Sequence, residues 1–138
     1  ERMRLRATQM RELIRPPQTV VQPDATVHDM TRVFLEYPVK YLYVTDASGS
    51  FLGVVALKDI TSDLLDRRDT SAKTAADYLQ PHFDVLTPDM PLGVALQHFM
   101  AFQGERLPVI ESTARPTLAG VVYKTSLLDA YFRMNPAR

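Results

Sequence analysis

Phe51-Leu52-Gly53-Val54-Val55 and Leu118-Ala119-Gly120-Val121-Val122 are one strand written twice, and this pair decides the fold. Each is a run of apolar and β-branched residues around a glycine, the composition of a buried strand. Working outward, the repetition holds. Upstream of the two strands, residues 11–44 align with residues 76–109 at an offset of 65. Pro16/Pro81, Val20/Val85, Pro23/Pro88, Asp24/Asp89, Phe34/Phe99, Leu42/Leu107 and Val44/Val109 are identical. A turn two residues longer in the second copy then moves the offset to 67. Val27/Leu92, Leu35/Met100, Tyr37/Phe102 and Ile60/Leu127 keep their apolar character. Such a unit is too long for a solenoid repeat and too short to be a comfortable domain alone. Two of them facing each other across a pseudo-twofold axis would bury their apolar faces mutually and leave symmetric clefts.

The 138 residues fit one compact domain, with 46% hydrophobic and 23% charged residues, a globular composition. Lys+Arg and Asp+Glu both number 16, which removes a general electrostatic case for nucleic acid. Cysteine is absent, so disulfides, thiolate metal sites and thiol nucleophiles are excluded. No apolar run approaches the ~20 residues that span a bilayer, and no signal peptide is visible. The chain opens without methionine in the basic-rich stretch Glu1-Arg2-Met3-Arg4-Leu5-Arg6. It reads as a piece cut from a longer protein.

Apolar spacing predicts a helix over 3–14, stopped by Pro16-Pro17, and an extended Thr19-Val20-Val21. Thr26 caps a helix with Val27, Met30, Val33, Phe34 and Tyr37 on its apolar stripe, ended by Pro38. Strands follow at Lys40–Thr45 and Phe51–Leu57 around the turn at 46–50, and a helix at about 58–68. The second copy repeats the order: a short helix at Thr74–Leu79, an extended Phe83–Leu86, the helix Leu92–Phe102, strands at Arg106–Ile110 and Leu118–Tyr123, and a closing helix at about Thr125–Met134. The organisation expected is a lead-in over 1–9, repeat one over 10–68, a linker at 69–73, repeat two over 74–134, and a tail at 135–138.

A proline at the end of each lead-in (Pro16, Pro81), a Val-x-Pro-Asp-like piece (Val21–Asp24, Leu86–Asp89), a helix, the strand Leu107–Ile110 and a Gly-Val-Val strand running into a helix together resemble a CBS domain. Two in tandem resemble a Bateman module, over nearly the whole chain. The resemblance implies an α/β (α+β) fold of two pseudo-twofold-related β-α-β-β-α repeats packed through their sheets. The stretch Tyr37–Asp46 and the tail Tyr123–Tyr131 are most similar to the cytosolic C-terminal module of bacterial ClC-type chloride channels and transporters. That narrower likeness implies a place on the cytoplasmic face of the inner membrane, attached to the membrane-embedded part of the same chain.

In family members that bind adenosine nucleotides, the strand-to-helix corner reads Gly-x-x-(Thr/Ser)-x-x-Asp. The hydroxyl can cap the helix and touch a phosphate drawn to its N-terminus, and the carboxylate can accept ribose hydroxyls. Copy one reads Gly53-Val54-Val55-Ala56-Leu57-Lys58-Asp59, keeping Asp59 and replacing the hydroxyl by Ala56. Copy two reads Gly120-Val121-Val122-Tyr123-Lys124-Thr125-Ser126, with neither group, and Tyr123 is bulky enough to intrude. Tyr43 also stands where the family has the proline seen at Pro108. The candidate site is therefore Asp59, Lys58, Ala56 and Gly53, with a second, impaired cleft at Tyr123 and Ser126. AMP, ADP or ATP would bind weakly, at most once per chain. Asp59 has a plain alternative, since a carboxylate in a first helical turn suits the helix dipole without any ligand. Gly53 and Gly120 can equally serve close strand packing.

Among the remaining residues no nucleophile elbow, repeated His/carboxylate cluster or phosphate-cradling Gly-rich loop is present, so an enzyme is not expected. His28, His82 and His98 have no metal-ligand spacing. Val33, Tyr37, Leu128, Tyr131, Phe132 and Met134 form an apolar surplus suited to core or to a homodimer interface. The expected function is a non-catalytic regulatory and dimerisation module. The rival reading is an adenine-nucleotide sensor on a different parent, transporter or soluble enzyme.

Overall fold

A computed structural model describes residues 8–136. The first copy comprises α1 (Met10–Leu13), β1 (Val20–Val21), α2 (Val27–Glu36), β2 (Tyr41–Thr45), β3 (Phe51–Ala56) and α3 (Leu57–Leu65). The second comprises α4 (Ala75–Tyr78), α5 (Leu92–Ala101), β4 (Arg106–Ile110), β5 (Leu118–Tyr123) and α6 (Lys124–Met134). The expected order is present in copy one, and in copy two except for its first strand, with mixed α/β character and two small sheets. Of the helix expected over 3–14, residues 3–7 lie outside the described residues.

Local chemistry accounts for the helix starts. Thr26 Oγ1 accepts from the Asp29 amide at 3.0 Å while the Asp29 carboxylate accepts from the Thr26 amide at 3.1 Å. This capping box satisfies two otherwise orphaned donors. Thr74 and Asp77 repeat it at the start of α4. Tyr37 is extended, as a residue before proline must be, and α2 stops there.

The copies differ in their first strand. In copy one, β1 runs parallel to β2 with Val20 beside Tyr43 and Val21 beside Val44, and β2 pairs antiparallel with β3. The Tyr43 amide donates to the Thr19 carbonyl at 2.9 Å. At the equivalent place in copy two stands Pro108, which has no N–H to give. The extended Phe83–Leu86 shrinks accordingly to a single bridge between Leu86 and Val109.

Two compact units form, and they cut across the repeats. Among the described residues, one joins 17–83 to 114–118; the other joins 8–16 to 84–113 and 119–136. Each lead-in segment thus belongs with the other copy. Gln80 exchanges backbone hydrogen bonds with Val54 at 2.8 and 3.0 Å, and Arg15 does the same with Val121 at 2.8 and 2.9 Å. These crossings explain both strand glycines. A Cβ on Gly53 would sit 2.2 Å from the Gln80 carbonyl oxygen, and one on Gly120 would sit 2.3 Å from that of Arg15. Their φ values, +143° and +152°, are also ones a side chain resists.

The core of the first unit is Val27, Met30, Val39, Leu42, Val44, Val55, Ile60 and Ala75. Each large aliphatic buried here stabilises the unit by roughly 1.5–3 kcal/mol before chain entropy is subtracted. Its linker is tied down by polar contacts: Asp63 on α3 accepts from Lys73 Nζ at 2.7 Å and from the Tyr78 hydroxyl at 2.6 Å. Burial first, and that bond to Asp63 second, push the Tyr78 hydroxyl up to about 12. In the second unit Leu92, Ala95, Phe99, Leu107, Val109, Leu127 and Ala130 are buried. There α5 and α6 meet closely, with the Tyr131 ring against Gly93.

Candidate ligand site

β3 runs straight into α3, and the corner between them is built from the four residues singled out in copy one. Ala56 is the N-cap of α3 and makes no side-chain cap bond, as its lost hydroxyl dictates. The Leu57 amide is bonded to the Lys40 carbonyl at 2.8 Å. A cavity of about 530 Å³ opens beside this corner, within the usual range for small-molecule sites. Ala56 and Lys58 line it, with Lys40 and Tyr41 at the start of β2 and Leu57, Thr61, Ser62, Leu65 and Asp66 along α3. Its walls are mostly apolar, and Lys40 and Lys58 are exposed cations on its edge.

Two of the four candidates are turned to other tasks. Gly53 is covered by the backbone of Gln80 and does not line the cavity. Asp59 is half-buried, and its Oδ2 accepts from Gln80 Nε2 at 2.8 Å. The cavity thus collects Ala56 and Lys58, while Asp59 faces the lead-in segment. Sequence reasoning missed Gln80, Lys40 and Tyr41. Gln80 could have been noticed, since it and Arg15 are the residues directly before the repeated prolines. Phe83 also escaped notice; its ring meets that of Tyr41 at a tilt of 56°, with centroids 4.9 Å apart.

The second corner is differently filled. Tyr123 is the N-cap of α6, and the Arg106 guanidinium lies 5.1 Å from its ring centroid. That position suits a cation–π contact, which commits the ring to its neighbour. Ser126 is exposed. Among the described residues no group of three or more His, Asp or Glu side chains could hold a metal. His98 Nδ1 instead pairs with Asp84 at 2.7 Å.

The apolar surplus divides in two. Val33 and Tyr37 are half-buried and pack against the core of the first unit. Leu128, Tyr131, Phe132 and Met134 are exposed, as are Leu35, Leu64, Leu65 and Met100. Leu35 and Met100 are equivalent positions in the two copies, as are Leu64 and Tyr131, and Leu65 and Phe132. Among the described residues no helix is long and apolar enough to cross a membrane.

A family model described as CBS domain matches residues 10–66 and again residues 70–133. The chain belongs to the CBS-domain family. As a CBS pair it is a regulatory type of module. No curated protein sequence matches it. Solved structures share the fold. The CBS-pair protein CBSX2 of Arabidopsis thaliana is 21% identical, with a TM-score of 0.71, over 96% of this chain and 100% of that one. CBSX2 has also been solved in complex with AMP. A CBS pair/ACT domain protein of Thermotoga maritima is 26% identical, with a TM-score of 0.73, over 93% of this chain and 99% of that one. The CBS pair of a candidate Mg2+ transporter of Shewanella oneidensis is 20% identical, with a TM-score of 0.75, over 91% of this chain and 71% of that one.

Proposed function

We propose that this CBS pair is the cytosolic, non-catalytic regulatory and dimerisation module of a membrane transport protein of the ClC chloride channel and transporter type. It lies on the cytoplasmic face of the bacterial inner membrane and pairs with a second copy of itself. The observation that carries this reading is the repeated exposure of large apolar side chains at equivalent positions: Leu35 and Met100, Leu64 and Tyr131, Leu65 and Phe132. Equivalent positions that keep the same apolar exposure in both copies have a common use, and pairing with a second copy of the chain would cover them. The resemblance of Tyr37–Asp46 and Tyr123–Tyr131 to ClC modules supports that choice of parent, and the occurrence of this fold in a candidate magnesium transporter supports a transport parent in general. Hydropathy of the full-length parent tests it directly. Several upstream spans of ~20 apolar residues are expected; a parent without them overturns the transport assignment.

A second reading rests on the cavity at Ala56 and Lys58. In it the module senses an adenine nucleotide, with the base in the apolar cavity, phosphate near Lys58 and ribose on Asp59. The AMP complex of CBSX2 supports that ligand class. Calorimetry with AMP, ADP and ATP should give at most one weak site per chain, abolished by Asp59→Ala. Two tight sites would make nucleotide sensing the principal function.

A further inference from the structure

Asp59 is the one carboxylate that either copy retains at the family's ribose position, and its Oδ2 is already bonded. Gln80 Nε2 donates to its Oδ2 at 2.8 Å, in a part-buried setting where water competes poorly for the bond. Gln80 is not a wandering surface side chain. Its amide and carbonyl are both bonded to Val54, and its carbonyl lies over Gly53, close to where β3 turns into α3. The backbone therefore fixes the point from which the Gln80 side chain reaches Asp59. A side-chain amide donates to a carboxylate in the same sense as a ribose hydroxyl does. The two donors compete at Oδ2, the oxygen that Gln80 already holds.

We propose that Gln80 is an internal competitor that sets the affinity of this site: it holds Asp59 away from the cavity, and a nucleoside ligand binds only by displacing it. This rests on the reading of Asp59 as ribose acceptor. The second copy supplies the contrast. Arg15 occupies the position of Gln80, with the same double backbone bridge, yet its guanidinium donates to the Glu12 and Ile14 carbonyls. Ser126 replaces Asp59 there. The competitor and the acceptor are present together in copy one and absent together in copy two.

Calorimetric titration of AMP into the whole chain and its Gln80→Ala, Gln80→Leu, Asp59→Ala and Asp59→Ala/Gln80→Ala variants decides the matter. Removing one competing hydrogen bond should tighten AMP binding by about threefold to tenfold in both Gln80 variants. The gain should vanish when Asp59 is also replaced. The leucine variant keeps the volume of the glutamine stem, and backbone pairing with Val54 does not depend on the side chain. If AMP binds in an Asp59-dependent way but neither Gln80 variant tightens it, the competitor role is wrong and the ribose reading stands. If AMP binds neither the unmodified chain nor the Gln80 variants, the ribose reading fails and the competitor role falls with it. If the Gln80 variants bind more tightly but the double variant binds equally tightly, Gln80 blocks access without competing for Asp59, which also overturns the proposal.

Discussion

Lys73 delivers its ammonium to Asp63 at 2.7 Å, and so fastens the polar segment between the repeats to the side of α3. That bond first, and the Tyr78 hydroxyl second, hold the Asp63 carboxyl below its ordinary value of 3.8. A carboxyl lowered in the native state is protonated first in the unfolded chain as the pH falls. Its stabilisation is therefore complete above 3.8 and is lost as the pH falls through the lowered native value. Asp63→Asn should destabilise the chain at neutral pH by a constant amount, and the gap to the unmodified protein should close in acid. Urea unfolding at a series of pH values measures this. A gap that persists unchanged in acid would show that packing, not charge, fastens the segment.

The two crossing glycines should be intolerant of a methyl group. Gly53→Ala and Gly120→Ala each place a carbon within 2.3 Å of a backbone oxygen that is itself bonded into a strand. A cost of about 3 kcal/mol or more is expected for each, from overpacking and strain together. Gly49 is the control. Its φ is also positive, but a methyl there meets only Thr117 at 3.8 Å, so Gly49→Ala should cost only about 1 kcal/mol. Equal losses at all three sites in chemical denaturation would contradict the close-approach account.

Thr26→Ala removes half of the box that starts α2. The Asp29 amide loses its acceptor, and a loss of about 1 kcal/mol is expected. Thr26→Ser should recover most of it, which separates the cap bond from the contribution of the threonine methyl. The midpoint of urea unfolding at fixed slope reads the difference.

Leu65 and Phe132 occupy equivalent places in the two copies and are 78% and 55% exposed. A single aspartate at either position leaves the fold alone but puts a charge into the proposed interface. Light scattering at tens of micromolar should give twice the chain mass for the unmodified protein. Leu65→Asp/Phe132→Asp should give the mass of one chain, with circular dichroism unchanged. A monomer before substitution, or a dimer after it, rules this face out.

Much of the fold is legible in the residues because it is written twice. The offset of 65 and then 67 aligns the strands by residue type alone, and the Thr26 cap and the Pro38 stop bound α2 by local chemistry. The shortened first strand of copy two is legible in principle, since Pro108 cannot make the bond that Tyr43 makes. The exchange of lead-in segments is not, because Arg15 and Gln80 carry no sign of which strand they bridge. The site is half legible for the same reason. Ala56 and Lys58 follow from the corner's spacing, whereas the partner of Asp59 lies 21 residues downstream and is set by tertiary pairing. Val33 and Tyr37 are indistinguishable by period from exposed apolar residues; their packing against the cluster around Met30 and Leu42 decides their burial.

Because Arg15 bonds to Val121, the segment around α1 can find its place only after the strand that it joins has been made. Residues 17–83 can assemble most of their unit early, lacking only 114–118. The segment around α1 must wait for more than a hundred residues of synthesis before its strand exists, a closure of long sequence separation that slows folding. Meanwhile Met10, almost fully buried in the finished protein, stands uncovered on the nascent chain. The order of translation thus leaves a window in which that apolar end is open to chaperones or to the wrong β-strand.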